Sequence, residues 1–497
     1  MVGSGSRGTG GRAWVAELGL QGRDRGYGLI LGAVLLAAVT VVPAPPGMPP
    51  QAWQVAGIAL LMAAWWITEA LPIPATALLP LALFPLLGIA TMRDAAAPYA
   101  DPVIFLFLGG FIIGTGMQRW ALHKRIGLRA IMLIGTAPRR LIGGFMLSTA
   151  LLSMWISNSA TAIMMLPVAV SVLALLDRDT DADSVSRANL GVALMLAVAY
   201  GASIGGLGTL IGTPPNALLA AYMAREHGVT IGFAQWMVLG LPLVAVMLAG
   251  SWLILVRLHP ARGSIGTSAT PAFAAELEKL GPMTPAEVRV AIVFGLTALA
   301  WITRPVYAAL VPGVDDTTIA IAGALALFLL PSGMAQGGRL LAWDDLKSLP
   351  WGVLILFGGG LSLAGAIGAS GLAAWLGAAM GALASWPGLL IVAAATLAMI
   401  FLTELTSNTA SAATFLPVGG AIAVGLGIDV ATLTVPLALA ASCAFMLPVA
   451  TPPNAIVFAS GRITIAQMAR AGFLINLLGN IVIVALSYPL ASRLFGK

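Results

Sequence analysis

One stretch of this chain occurs twice, and no other feature restricts the fold so strongly. Leu152-Ser-Met-Trp-Ile-Ser-Asn-Ser-Ala-Thr-Ala-Ile-Met-Met-Leu-Pro-Val168 returns 250 residues later as Leu402-Thr-Glu-Leu-Thr-Ser-Asn-Thr-Ala-Ser-Ala-Ala-Thr-Phe-Leu-Pro-Val418. Each copy sets short polar side chains inside an apolar run: Ser157, Asn158 and Ser159 in the first, Ser407, Asn408 and Thr409 in the second. Polar groups at membrane depth cost free energy unless they find partners. The same cost in two corresponding places points to a site built at a repeat interface.

A second pair follows the first. Gly212-Thr-Pro-Pro-Asn216 lies downstream of the first copy and Ala450-Thr-Pro-Pro-Asn454 downstream of the second. Adjacent prolines remove two backbone donors and forbid a continuous helix. The helices around them must stop and restart, freeing main-chain groups in mid-membrane. Such breaks are tolerated only where the backbone lines a cavity or is covered by protein. Asn216 and Asn454 are expected to brace the breaks rather than touch a ligand.

Composition sets the class. The 497 residues are 59% hydrophobic and 9% charged, against about 25% charged in soluble domains. A polytopic, all-α membrane protein follows. The net charge of +6 is no nucleic-acid signal, because the basic residues lie in loops between apolar spans. One cysteine and three histidines exclude a disulfide framework and offer no metal cluster. No acid/base pair, nucleophile triad or Walker motif is visible, so an enzyme and an ATP-driven pump are unsupported.

Residues 1–26 read as a flexible, basic N-terminus, and 27–43 as an uncleaved first helix. Spans follow near 51–69, 74–91 and 101–118, then a basic patch from Arg119 to Arg140. The apolar stretch 141–175 has its polar triplet near the middle, and each half is short for a full crossing. A re-entrant hairpin with the triplet at its tip fits better. A hydrophilic loop at 177–187 precedes a broken helix at 188–224 and a span at 232–256. The linker 257–287 closes the first half, 27–256. The second half, 288–497, repeats the plan: spans near 288–303, 316–332 and 349–380, a hairpin at 387–426, a broken helix at 430–459 and a last span at 466–492.

With a cytoplasmic N-terminus and about 11 transmembrane helices, 20 of the 25 Lys and Arg residues fall on the inside; Arg93, Arg225, Arg304, Arg493 and Lys497 fall outside. An odd number of crossings separates the halves, so the two repeats are inverted. The first hairpin then enters from the cytoplasm and the second from outside, and the linker is cytoplasmic.

At these residues the sequence resembles the divalent anion/sodium symporter family, carriers of dicarboxylates, citrate or sulfate. The markers are the paired tips, the paired Thr-Pro-Pro-Asn breaks and the junction Thr68-Glu-Ala-Leu-Pro72. The resemblance implies a homodimer in which a mobile transport domain carries the site across the membrane in an elevator-type displacement. It implies one sodium site from Ser153, Ser157, Asn158 and Gly212, and a second from Thr403, Ser407, Asn408 and Ala450. It implies substrate contacts from Asn158, Ser159, Thr213, Asn408, Thr409 and Pro452. Where the family's first triplet ends in Thr, this chain has Ser159.

The chemistry agrees with that assignment. Sodium is a hard cation and takes hydroxyl, amide and carbonyl oxygens, which both sites supply. No Arg or Lys lies in any of the four motifs, so an anion must rely on Asn and Ser/Thr donors, helix N-termini and the adjacent sodium charge. Carrying a dianion into a cell negative inside costs about 4.6 kcal/mol per 100 mV, which favours cation coupling. The expected function is sodium-coupled symport of small dicarboxylates (succinate, malate, fumarate class) through a bacterial inner membrane, with lipid around it and no organic cofactor. A sodium-independent exchanger, a sulfate symporter and an anion channel are the alternatives; a channel would show neither saturation nor counterflow.

Capping of the hairpin turns by Ser and Asn is the bland account of the triplets, and it leaves the duplicated proline breaks unexplained. Glu404 is an acidic group within an apolar hairpin, open to a proton-coupling role. Its counterpart in the first repeat is Met154, so it lies outside the symmetric site and is expected to be structural.

Overall fold

A computed structural model describes residues 26–39, 41–134, 137–176, 184–261, 274–335, 337–380 and 385–496. The basic N-terminus lies outside them apart from Gly26. So do most of the 177–187 loop and residues 262–273 of the linker.

Among the described residues the fold is helical, and the sole bridge pairs Pro331 with Arg339. The first half comprises α1 (Gly26–Val39), α2 (Pro50–Ile67), α3 (Ile73–Thr76), α4 (Leu79–Leu86), α5 (Met92–Ala96), α6 (Pro102–Arg119), α7 (Leu122–Ile134), α8 (Pro138–Ser153), α9 (Asn158–Leu176), α10 (Ser184–Gly206), α11 (Pro214–His227) and α12 (Phe233–Leu258). A short α13 (274–279) leads into α14 (Pro285–Tyr307), α15 (Asp316–Leu329), α16 (Trp351–Ala369), α17 (Leu372–Ala379), α18 (Gly388–Thr403), α19 (Asn408–Gly425), α20 (Val430–Ala441), α21 (Pro452–Phe458) and α22 (Ile465–Phe495). Among the described residues six helical stretches are long and apolar enough to cross a membrane: Met92–Arg119, which runs from α5 through α6, Ser184–Gly206, Phe233–Leu258, Pro285–Tyr307, Trp351–Ala369 and Ile465–Phe495.

Local chemistry sets the helix ends. Asp101, Thr284, Asp315 and Thr464 accept a main-chain N–H from the first turn of α6, α14, α15 and α22. Gly228, at φ 66°, closes α11 in the left-handed conformation that glycine adopts without strain. The stretch 349–380, expected as one span, is two helices: Gly371, at φ 83°, turns the chain between α16 and α17. The basic patch after Arg119 is largely the amphipathic helix α7, whose buried face carries Leu122, Leu128 and Ile131.

The two halves pack by matching contacts. Gly109 of α6 lies against Ala320 of α15, and Gly359 of α16, 250 residues on, lies against Ala77 at the end of α3. Neither position leaves room for a side chain. Phe107 and Phe357, also 250 apart, meet edge to face at 5.2 Å. The polar triplets sit where α8 turns into α9 and α18 into α19, so each stretch forms a helical hairpin with the triplet at its tip.

Candidate functional site

Each hairpin tip makes the same hydrogen bonds. In the first, Ser153 Oγ donates to Ala202 O at 2.7 Å and lies 2.6 Å from the side-chain amide of Asn158. In the second, Thr403 Oγ1 is 2.8 Å from both Asn408 Oδ1 and Ala441 O. Ser153 and Thr403 are wholly buried. The tip is thus tied to the C-terminal end of α10 in one repeat and of α20 in the other.

The amide of Asn158 sits among oxygens. The same amide atom lies 2.6 Å from Ser153 Oγ, 3.2 Å from Gly212 O and 3.3 Å from Ala202 O. Placed as nitrogen, it donates to all three. Placed as oxygen, it faces acceptors, an arrangement that a small hard cation satisfies. Gly206 closes this cluster: a Cβ there would lie 2.9 Å from the Asn158 amide and 3.0 Å from Gly212 O. Three of the four residues expected for the first cation, Ser153, Asn158 and Gly212, therefore converge. Ser157 caps α9, its Oγ accepting from Ala160 N at 3.3 Å. In the second set Thr403 and Asn408 converge, and no hydrogen bond among the described residues joins Ser407 or Ala450 to them.

The expected substrate contacts divide. Ser159, Asn158 and Asn408 are partly exposed, and Pro452 is exposed. The hydroxyls of Ser159 and Thr409 make no hydrogen bond within the chain among the described residues. Thr213 is buried and its hydroxyl meets Ser442 Oγ at 3.2 Å. That contact links the break of the first repeat to the end of α20 in the second.

The breaks are built alike. Pro214-Pro215 and Pro452-Pro453 occupy the first turns of α11 and α21, where proline's missing N–H is harmless. The preceding Thr213 and Thr451 are extended, at φ −146° and −143°. Asn216 Nδ2 donates to Gly206 O at 3.1 Å and Thr209 O at 2.8 Å. Asn454 Nδ2 donates to Ala444 O at 3.2 Å and Leu447 O at 3.0 Å. Both asparagines brace the breaks.

Glu404 departs from this symmetry. It is buried and accepts from Phe445 N at 2.7 Å, Met446 N at 2.9 Å, Leu447 N at 3.1 Å and Asn476 Nδ2 at 2.7 Å. Four donors and no acceptor suit a carboxylate that holds structure together, clamping the second tip to its break and to α22. At the matching place Met154 contributes its carbonyl, which accepts from Thr209 Oγ1 at 2.6 Å.

Nothing in the sequence marks the carbonyls of Ala202 and Ala441, since any residue carries one. Ser442 follows α20 without a marker of its own.

Residues 24–492 match the family described as the sodium:sulfate symporter transmembrane region. The chain belongs to this family. Among its relatives, the sodium-dependent dicarboxylate transporter SdcS of Staphylococcus saprophyticus is 42% identical over 479 residues, covering 94% of this chain and 92% of that one. SdcS of Staphylococcus aureus strain USA300 is 42% identical over 472 residues, 93% and 90%. Two solved structures share the fold at low identity. Neisseria gonorrhoeae MtrF, described among antimetabolite efflux pumps, has a TM-score of 0.56 at 11% identity over 94% of this chain and 95% of its own. The Alcanivorax borkumensis YdaH transporter has a TM-score of 0.51 at 14% identity over 88% and 98%. The chain is a multi-pass membrane protein of a transporter family.

Proposed function

We propose that this protein is a sodium-coupled importer of small dicarboxylates in a bacterial inner membrane. The observation that carries the reading is the matched set of side-chain and main-chain oxygens behind each hairpin tip, Ser153 with Asn158 and Ala202 O, and Thr403 with Asn408 and Ala441 O. The first set also includes Gly212 O. The names of the 42% identical relatives support both sodium and dicarboxylate.

Sodium is cargo here. Ser153, Asn158 and Gly212 would hold one ion, and Thr403 and Asn408 another, with Ser157, Ser407 and Ala450 completing the shells. The anion would lie between the tips, on Ser159 and Thr409 hydroxyls, the Asn158 and Asn408 amides and the N-terminal ends of α9 and α19. Thr213 and Pro452 border this space from the breaks. Without a basic side chain the anion needs the sodium charge, so cation binding raises anion affinity and the reverse holds equally. The hairpins enter the membrane from opposite sides in inverted repeats, and the site crosses by an elevator movement in each protomer of a homodimer.

The test is uptake of radiolabelled succinate into proteoliposomes under an inward sodium gradient or an equal potassium gradient. Uptake that requires sodium and falls at least tenfold in Asn158→Ala supports the reading. Uptake indifferent to sodium defeats it. Because the family description names sulfate, unlabelled sulfate and malate are added as competitors; inhibition by sulfate alone would move the substrate class to inorganic divalent anions.

A further inference from the structure

The first hairpin leaves one apolar face uncovered. Ala160, Ile163, Met164, Pro167, Val168 and Ser171 recur at helical spacing along one side of α9 and border a cavity of about 680 Å³. Ile163, in the middle of that stripe, is 59% exposed. From Ala160 to Ser171 the stripe runs about 16 Å at 1.5 Å per residue. That is close to the depth of one membrane leaflet, about 15 Å. The volume suits an organic molecule rather than an ion.

The facing wall carries charge. Lys124 of α7 and Glu276 and Lys279 of α13 line the cavity beside Leu128. Lys279 is paired with Glu276 at 2.5 Å. Lys124 is exposed and forms no ion pair among the described residues. His123 also borders the cavity; its Nδ1 lies 2.9 Å from Met117 O, and burial holds its pKa below the ordinary value, so the ring is neutral at pH 7. The described lining therefore carries a single uncompensated positive charge, on Lys124.

The helix that supplies Lys124 suits a membrane surface. On α7 the side chains of Leu128 and Ile131 are buried, while Lys124, Ile126, Arg129, Met132 and Leu133 are exposed. Basic and apolar groups mixed on the open face of an amphipathic helix fit the boundary between headgroups and acyl chains. Arg125 holds α7 in place, donating to Leu280 O at 3.4 Å and pairing with Glu287, so the charged wall is preformed. The second repeat has no such space. Carried forward 250 residues, Lys124 and Leu128 become Ala374 and Ala378 of α17. There Gly377 packs on Gly425 of α19, with no room for a Cβ at either. The cavity thus stands apart from the duplicated tips.

We propose that this cavity binds an anionic phospholipid of the cytoplasmic leaflet, with the headgroup on Lys124 and Lys279 and an acyl chain along the α9 stripe. A four-carbon dianion would leave most of that stripe in water, and a free phosphate would leave all of it. An acyl chain covers its length, and basic pockets on the cytoplasmic side suit anionic headgroups. The choice of leaflet rests on the orientation expected from the Lys and Arg bias; the site rests on the cavity and its charge.

Fluorescence quenching tests the proposal. Ser171→Cys, at the end of the stripe, is introduced with Cys443→Ala, which removes the single native cysteine, and is labelled with bimane. The labelled chain is reconstituted in phosphatidylcholine vesicles containing increasing fractions of phosphatidylglycerol brominated on its acyl chains. Quenching is expected to saturate at a severalfold lower fraction than with brominated phosphatidylcholine. Lys124→Gln with Lys279→Gln should remove that preference, and Ile163→Asp, which sets a carboxylate in the stripe, should abolish saturable quenching. Arg129→Gln, on α7 but outside the cavity lining, should leave the curve unchanged. All four positions are exposed, so the variants should keep the unfolding midpoint of the labelled parent. Equal quenching by the two lipids overturns the inference. A shift in Arg129→Gln as large as that in the lysine pair also overturns it, because the attraction would then belong to the whole helix surface. Neither sodium succinate nor glycerol phosphate should relieve the quenching. Relief by succinate would make the cavity a path for the transported anion, and relief by glycerol phosphate a site for free phosphate; either result overturns the lipid assignment. None of these measurements involves uptake, so they stand or fall separately from the sodium and dicarboxylate reading.

Discussion

At Asn216 and Asn454 one side chain does the work of a missing helical turn. Each amide donates two hydrogen bonds to carbonyls freed by the proline break, in matching places. Asn216→Ala strands the buried carbonyl of Gly206, at about 1–3 kcal/mol, and leaves Thr209 O only the 3.4 Å bond from Gly212 N. A drop in the thermal unfolding midpoint in detergent is expected, with a similar drop for Asn454→Ala. Glu404→Gln offers an NH₂ group to a ring of N–H donors, and about 1–3 kcal/mol of stability should be lost. If Glu404 served proton coupling instead, the variant would keep its stability and lose only the pH dependence of uptake. Both asparagines and Glu404 were legible in the sequence as polar groups in apolar surroundings. The carbonyls of Ala202 and Ala441 were not, because a main-chain oxygen becomes a ligand only through the fold that points it inward.

The broken helices and hairpins work as paired elements. Gly206 ends α10 where the Asn158 amide and Gly212 O converge, and a methyl group there would fill that cluster. Gly206→Ala should raise the sodium concentration for half-maximal uptake roughly tenfold, a loss of about 1.4 kcal/mol. An unchanged sodium dependence would mean that the first cation lies elsewhere. The hairpins, the breaks and their order could be read from the duplicated triplets and proline pairs. The division of 349–380 at Gly371 was hidden, since small residues run through the whole stretch.

For the whole molecule, a buried ion pair fastens the arm α7 to the second half. Arg125 Nε and Nη2 donate to Glu287 Oε1 and Oε2 at 2.5 and 3.1 Å, and both residues are buried. Arg125→Met alone leaves an unpaired buried carboxylate and should cost about 3–5 kcal/mol, whereas Arg125→Met with Glu287→Leu should be close to neutral. Thermal unfolding of the single and double variants checks this. Under the proposed coupling, sodium at two matched tips would draw a dicarboxylate through the molecule. The most direct measurement is the initial rate of succinate uptake as sodium is varied at constant ionic strength. Two cooperating sites predict a sigmoidal dependence with a Hill coefficient approaching about 2, collapsing to a hyperbola in Thr403→Ala. A rate that does not change with sodium would contradict the account.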